Sequence, residues 1–163
     1  MSRLLILLRH AKSDWYSGAR TDRERPLSAR GRKDAPRMGE WIAKAGFLPD
    51  RILCSGAHRT RETLGLVRDA SGWESHDPKI TYSDDLYLAS PYTILGMVEA
   101  CGGEFERIMV VGHNPAMDEV LIHFCPEAKP TASGKLMTTA ATAIIDISSG
   151  DSRLLELVRP ADL

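Results

Sequence analysis

Cysteine is scarce in this 163-residue chain. There are only Cys54, Cys101 and Cys125, an odd number at wide spacing with no C-x-x-C pair. That argues against a disulfide framework or a zinc knuckle, and makes a reducing, cytoplasmic setting the default expectation. An excess of charge of one sign is lacking too. The chain carries 21 Lys and Arg against 22 Asp and Glu, for a net charge of -1. No global positive field would draw a nucleic acid or an anionic membrane surface. No apolar run approaches the ~20 residues of a membrane span. The N-terminal run Leu4–Leu8 falls short of a signal-peptide core of about 7–15 residues. Internal repeats, low-complexity tracts and long linkers are missing as well.

What remains is an ordinary globular composition, 43% hydrophobic and 26% charged, on a length that fits one domain over 1–163 with a single proper core. The pattern along it is alternation. Leu4–Leu8 reads as a buried strand. A helix follows from an N-cap at Ser28 to about Ala45, with Ala35, Met38, Trp41, Ile42 and Ala45 on one face. Pro36 inside that run predicts a kink or a late start. Arg51–Cys54 and Ile80–Tyr82 are short strands and Arg59–Ala70 is helical. Ser90-Pro91 opens another helix in N-cap and N1 order. Arg107–Val111 is a second strongly buried strand, and Pro115 to about Phe124 is helical. Ala143–Ile147 and Leu154–Val158 form a late hairpin. Strands alternating with helices predict an α/β layer fold with a largely parallel sheet.

Such sheets bind ligands beyond the carboxyl ends of their strands. Polar chemistry follows a strand three times here: Arg9-His10, "SGAHRTRET" and "GHNP". These ends bring Arg9, His10, Arg59, His113 and Lys12 toward one rim. Cations so gathered repel one another unless an anion lies between them. A phosphoryl group (or a phosphate or sulfate ion) fits, since the guanidinium fork binds two of its oxygens at once. One neutral imidazole can then attack phosphorus, the flanking arginines favouring its uncharged form. The second can donate to a phosphoryl oxygen, and neither a metal nor a cofactor is required.

"LLRHAKSDW", "LSARG", "SGAHRTRET" and "VVGHNP" together resemble the histidine phosphatase superfamily, with its phosphoglycerate-mutase-like fold. The "RHAKS" start, the short chain and "RPLSARGRKDAPRMGEW" resemble its SixA-type phosphohistidine phosphatases. The likeness runs from Leu4 to about Cys125 and weakens beyond. It implies a three-layer α/β/α sandwich around a mainly parallel central sheet. It also implies His10 as nucleophile, Arg9 and Arg59 as phosphate-binding arginines, and His113 as the second, phosphate-contacting histidine. The chain departs from the family pattern at Ser55-Gly56, where Ser-Pro is common, and at Glu62, near a common Gln. The carboxylate that protonates a leaving group falls to Asp84 or Asp85, or is absent. Asp85 is preferred for its place before Leu86-Tyr87.

The expected activity is metal-independent dephosphorylation of phosphohistidine on a protein. An imidazole leaves phosphorus without much help, whereas an alkoxide needs an acid, and a short chain leaves little sequence for a lid over a small substrate. A small-molecule phosphomonoesterase is the runner-up. A mutase must shield its phosphoenzyme from water, which this length disfavours. A metallohydrolase using His10, Asp14 and His113 would set two arginines beside its metal. A non-catalytic phospho-ligand module would have no need of a nucleophile. Asn114 is either a phosphate contact or a helix cap, and Lys12 either a phosphate contact or solvated. Ser13 and Asp14 read as turn or cap residues, and His58, His76 and His123 carry no chemistry. "ARTDRERPLSARGRK" is read as a solvated loop and helix start. The sharper alternative is that Arg20, Arg23 or Arg25 borders the pocket mouth and steers an acidic partner.

Overall fold

The computed structural model describes residues 2–73 and 77–163, so His76 lies outside the described residues. One sheet holds β1 (Leu4–Arg9), β2 (Arg51–Ser55), β3 (Lys79–Ser83), β4 (Arg107–Gly112), β5 (Thr142–Asp146) and β6 (Arg153–Val158). Their spatial order is β3-β2-β4-β1-β5-β6. The first four are mutually parallel, while β5 runs antiparallel to both β1 and β6.

Period-two alternation in β1 builds two cores, one on each face of the sheet. Leu4, Ile6 and Leu8 face one way, onto Ala35, Met38 and Ile42 of α1 (Ala29–Lys44) and Leu64 and Val67 of α2 (His58–Ser71). Leu5 and Leu7 face the other way, onto Ile94 and Val98 of α3 (Pro91–Ala100) and Met117, Val120 and Leu121 of α4 (Ala116–Phe124). The result is the expected three-layer sandwich with a mainly parallel sheet. No helix among the described residues is long and apolar enough to cross a membrane.

Ser28 caps α1 by accepting the Gly31 N–H at 3.2 Å, and Ser90 caps α3 by accepting the Thr93 N–H at 3.3 Å. The expected late start at Pro36 does not occur, because α1 is one helix from Ala29 onward. A proline there leaves the Arg32 carbonyl without its donor. Arg32 is exposed and Pro36 partly so, which lets water take that place. Packing of Ala35, Met38 and Ile42 holds the helix through the defect.

Gly39 lets α1 and α2 approach closely. A Cβ there would press on the Val67 carbonyl oxygen and lie 3.0 Å from the Val67 Cα. Both are backbone atoms of a packed helix and cannot rotate away. Gly39→Ala is therefore expected to cost about 2 kcal/mol of stability, despite alanine's advantage of roughly 1 kcal/mol in helix propensity. A urea titration should show a lower midpoint at an unchanged slope; an unchanged midpoint would show that the two helices can separate cheaply.

The topology positions the site. β1 pairs with β4 in a register that sets Arg9 beside Gly112, and β2 pairs with β3 so that Ser55 lies beside Ser83. Four carboxyl ends thus share one edge of the sheet. The residues just past these strands converge there.

Candidate active site

His10 stands immediately beyond β1. Its backbone is held on both sides, the N–H donating to the Gly112 carbonyl at 3.1 Å and the carbonyl accepting the Ala140 N–H at 3.0 Å. In the ring, Nδ1 lies 2.7 Å from the Ala11 carbonyl oxygen. A carbonyl only accepts, so in the neutral ring Nδ1 carries the hydrogen and Nε2 keeps its lone pair. The Ala11 N–H donates to Thr63 Oγ1 at 3.0 Å, and that hydroxyl donates to the Arg59 carbonyl at 2.7 Å. One threonine of α2 thereby ties the His10 loop to the turn carrying Arg59.

The imidazole is 8% exposed, and burial above all lowers its pKa to about 3. The Ala11 hydrogen bond opposes this, while His113, Arg9 and Arg59 push the same way by like charge. The expectation that the flanking arginines favour neutral His10 holds, with desolvation as the larger cause beside them.

His113 follows β4. Its Nε2 meets Ser55 Oγ at 2.8 Å, its Nδ1 is buried without a partner, and its ring centroid is 5.2 Å from that of His10. Burial first, then Arg59 and Arg9, lower its pKa to about 4, with Asp22 opposing. At Gly112, before it, a Cβ would sit 3.0 Å from Met117 Cε of α4, so that side chain would have to shift.

Arg59, in the first turn of α2, is 5% exposed. It donates from Nη1 to the Asp22 carbonyl at 2.8 Å and from Nη2 to Asp22 Oδ2 at 3.0 Å. Arg9 donates from Nη1 to the Met137 carbonyl at 2.9 Å. The Nε of each arginine is buried without a partner, an arrangement that costs free energy unless something accepts there.

The Met137 carbonyl also accepts Asn114 Nδ2 at 3.1 Å, and Asn114 Oδ1 accepts the Asp118 N–H at 3.1 Å. The Asp118 carboxylate closes the circuit on the Leu136 and Met137 N–H groups at 3.0 and 2.9 Å. Of the two readings of Asn114, these bonds show the cap: its amide oxygen accepts a first-turn N–H of α4, and its amide nitrogen steadies the carbonyl that orients Arg9.

Asp85 is exposed, and within the described residues its carboxylate makes no hydrogen bond or ion pair; its N–H donates to Ser83 Oγ at 3.2 Å. Asp84 pairs with Arg23 at 2.6 Å across the Ser55-Gly56 turn, where a Gly56 Cβ would meet Asp84 Oδ1 and come 2.8 Å from Arg23 Nη2. Lys12 is exposed, and its backbone carbonyl anchors α1 by accepting the Ser28 N–H at 2.8 Å. Its ammonium makes no hydrogen bond within the described residues.

The carboxylate that does reach the site is Asp22, in a 3-10 turn over Asp22–Glu24. The segment read as a solvated loop docks on the arginine instead. Asp22 Oδ2 accepts from Arg59 and, at 2.5 Å, from the Tyr87 hydroxyl; Oδ1 accepts Arg25 Nε at 3.0 Å. The Tyr87 bond is the largest of the influences that lower the Asp22 pKa to about 2, with Arg25 and Arg59 adding to it. The Tyr87 ring packs edge-on to His113 at 5.5 Å and lies 5.8 Å from the Arg59 guanidinium. Arg25 is buried, its guanidinium 3.5 Å from the Trp15 ring centroid and bonded to Ser13 Oγ at 2.8 Å. Sequence reasoning passed over Asp22, Tyr87, Ser55 and the Met137 carbonyl. Only Ser55 carried a signal, as a polar residue closing a buried strand.

Asp14 serves as a turn residue, its carboxylate accepting the Tyr16 N–H at 2.8 Å. Glu62 accepts the Leu27 N–H at 2.8 Å and pairs with Arg32 at 2.9 Å. His58 lies on the surface 3.5 Å from Glu62, and His123 packs on Phe124. Among the described residues, no three His, Cys, Asp or Glu side chains are grouped so as to hold a metal ion. His10, Asp14 and His113 do not form such a group.

Comparison with known proteins agrees with this geometry. Residues 5–86 match the family model described as histidine phosphatase superfamily (branch 1). An uncharacterized protein of Mycobacterium tuberculosis is 33% identical over 115 residues, 71% of this chain and 68% of that one. Phosphohistidine phosphatase SixA of Escherichia coli is 26% identical over 98% of this chain and 95% of its own. A structure solved for a SixA homologue from Agrobacterium tumefaciens superposes with a TM-score of 0.84 at 30% identity, covering 98% of this chain and 99% of that one. With these likenesses joined to two histidines and two arginines at the carboxyl edge of a mainly parallel sheet, the chain belongs to the histidine phosphatase superfamily.

Proposed function

We propose that the protein is a metal-independent phosphatase that acts through a phosphohistidine intermediate on His10, with phosphohistidine on another protein as its substrate. The observation that carries this is the state of His10. Its ring is buried, neutral, fixed through Nδ1 to the Ala11 carbonyl, and left with Nε2 as the free nucleophilic nitrogen. Arg9 and Arg59 flank it with donors that await acceptors. His113 adds a buried Nδ1 that makes no hydrogen bond among the described residues, a donor to a phosphoryl oxygen in the tautomer whose Nε2 accepts from the Ser55 hydroxyl.

In this mechanism the arginines bind the phosphoryl oxygens and stabilise charge on them in the transition state. His10 Nε2 bonds to phosphorus as the bond to the leaving group breaks. Water then attacks phosphorus and the bonding pair returns to Nε2. A phosphorus–nitrogen substrate is favoured because Asp22, the carboxylate of the site, is ionised at neutral pH and has no proton to give an alkoxide. SixA itself has been solved with tungstate, a tetrahedral oxyanion, on a fold like this one.

The test is turnover in excess chelator, comparing a phosphohistidine-bearing phosphotransfer domain with a panel of small phosphomonoesters. The expected result is a kcat/KM at least tenfold higher on the phosphoprotein and undiminished by the chelator. A preference for a small ester would move the activity to small molecules. Loss of activity in chelator would overturn the metal-free mechanism.

A further inference from the structure

We propose that Asp22 selects the substrate: its carboxylate is the counter-charge for a positively charged leaving group, the imidazolium of protonated phosphohistidine. This deepens the function proposed above and rests on it.

The geometry comes first. His10 is 8% exposed and forms the floor of the site, while the Asp22 side chain is 42% exposed at its rim. In-line displacement puts the leaving group on the side of phosphorus away from the buried nucleophile, toward solvent, and Asp22 is the half-exposed carboxylate bonded to both Arg59 and the Tyr87 that packs on His113. Three hydrogen bonds, from Arg25, Arg59 and Tyr87, fix the carboxylate. A carboxylate has about four acceptor positions, so one stays open toward solvent.

Charge balance points the same way. Arg9, Arg25 and Arg59 against Asp22 leave a net charge that matches a phosphoryl dianion, which phosphohistidine and a phosphate ester both carry. What distinguishes them is the group beside the phosphoryl: a positive ring is attracted to the Asp22 carboxylate, and a neutral ester group is not.

The chemistry then balances without a general acid. The bound substrate has a phosphoryl dianion on one ring nitrogen and a proton on the other. Attack by His10 Nε2 forms one phosphorus–nitrogen bond and breaks the other, and the electron pair goes to the departing nitrogen. That ring leaves as neutral imidazole, keeping its proton. The positive charge passes to the His10 ring, whose Nδ1–H stays on the Ala11 carbonyl. Hydrolysis repeats the pattern: water bonds to phosphorus, His10 leaves neutral, and dihydrogen phosphate departs with both water protons. In each half-reaction the leaving ring brings its own proton, and the protein keeps that protonated form in place.

Of the groups facing Asp22, the Tyr87 hydroxyl is raised above its ordinary value by its bond to Asp22 and His113 is neutral above about pH 4, so neither changes charge between about pH 5 and 9. A pH dependence that Asp22 imposes in that range therefore reports the ring of the substrate.

The experiment measures kcat/KM for phosphoimidazole and for p-nitrophenyl phosphate with wild type and Asp22→Asn, an isosteric change at the rim. The expected result is a loss on phosphoimidazole at least about tenfold larger than the loss on p-nitrophenyl phosphate, because both substrates share whatever Arg59 loses with its partner while only the first loses the counter-charge to its ring. Wild-type kcat/KM for phosphoimidazole should also fall as pH rises through the pKa of that substrate's ring, a readout independent of any variant. Equal losses on both substrates would reduce Asp22 to a support for Arg59 and overturn the inference while leaving the phosphatase assignment intact. A pH-independent wild-type rate on phosphoimidazole would overturn it equally. A wild-type enzyme that turns over the ester but not phosphoimidazole would overturn the function proposed above, and this inference with it.

Discussion

Replacing His10 by alanine is expected to lower kcat by about a thousandfold or more, because it removes the atom that bonds to phosphorus and not merely a contact to it. The protein should still fold, since the ring makes one side-chain hydrogen bond, to a carbonyl one residue away. Its response to acid should change. An unfolded histidine protonates near pH 6.5, whereas folded His10 does so only near pH 3. Its neutral form in the fold costs nothing above pH 6.5. Stability is then lost as pH falls from 6.5 toward 3, at up to about 1.4 kcal/mol per pH unit. His113 acts likewise down to about pH 4. His10→Ala removes one of these two dependences. Its urea midpoint should therefore fall less steeply than that of wild type between pH 7 and 4, whatever the cavity costs at neutral pH. Substantial residual turnover would remove His10 as nucleophile. Parallel stability curves would show that its ring is not held neutral.

Arg59→Ala should lower kcat/KM by about a hundredfold to a thousandfold, the range for deleting one donor aimed at transition-state charge. Two losses combine. The phosphoryl group loses a guanidinium, and the Asp22 carboxylate loses a partner at 3.0 Å. Arg59→Lys should recover only a small part of this. An ammonium is a point charge and cannot reach the Asp22 carbonyl, the Asp22 carboxylate and a phosphoryl oxygen together as a planar fork can. Competitive inhibition by inorganic phosphate should weaken in parallel in both variants. Recovery of most of the activity by lysine would mean that the site needs a charge there and not a geometry.

How much of this was legible in the sequence depended on how local the signal was. The strand ends were readable because "LLILLRH", "RILCS" and "RIMVVGH" each pass from a buried run to polar chemistry within one or two residues. The caps at Ser28 and Ser90 are local signals too. Asp22 was not legible, because it meets Arg59 and Tyr87 across 37 and 65 residues of chain. Its own neighbours, "RTDRERP", have the composition of a solvated loop. Asp85 was chosen for its place along the chain, and place alone carries no information on the contacts of its carboxylate, which the fold leaves exposed. The Met137 carbonyl could not be read at all, since every residue has a carbonyl and only packing decides which one orients an arginine. The pKa of His10 was right in direction and in the part played by the arginines, but its larger cause was out of reach, as burial has no counterpart in a list of neighbouring charges.

The alternation of β1 between two cores has a last consequence. Both faces of the sheet are apolar, and Leu4 through Leu8 are all leucine or isoleucine. Slipping this strand by one residue would exchange the two sets of side chains with little change in buried area, so hydrophobicity barely distinguishes the correct pairing from its neighbours. The ends must distinguish it. The Leu4 N–H is held by the Glu106 carbonyl, the Arg9 N–H by Ala141 and the His10 N–H by Gly112. A slip would also bury a guanidinium or expose a leucine. Arg9 and His10 thus act as the strand's alignment mark: the residues proposed to carry the chemistry also tell the strand where to stop.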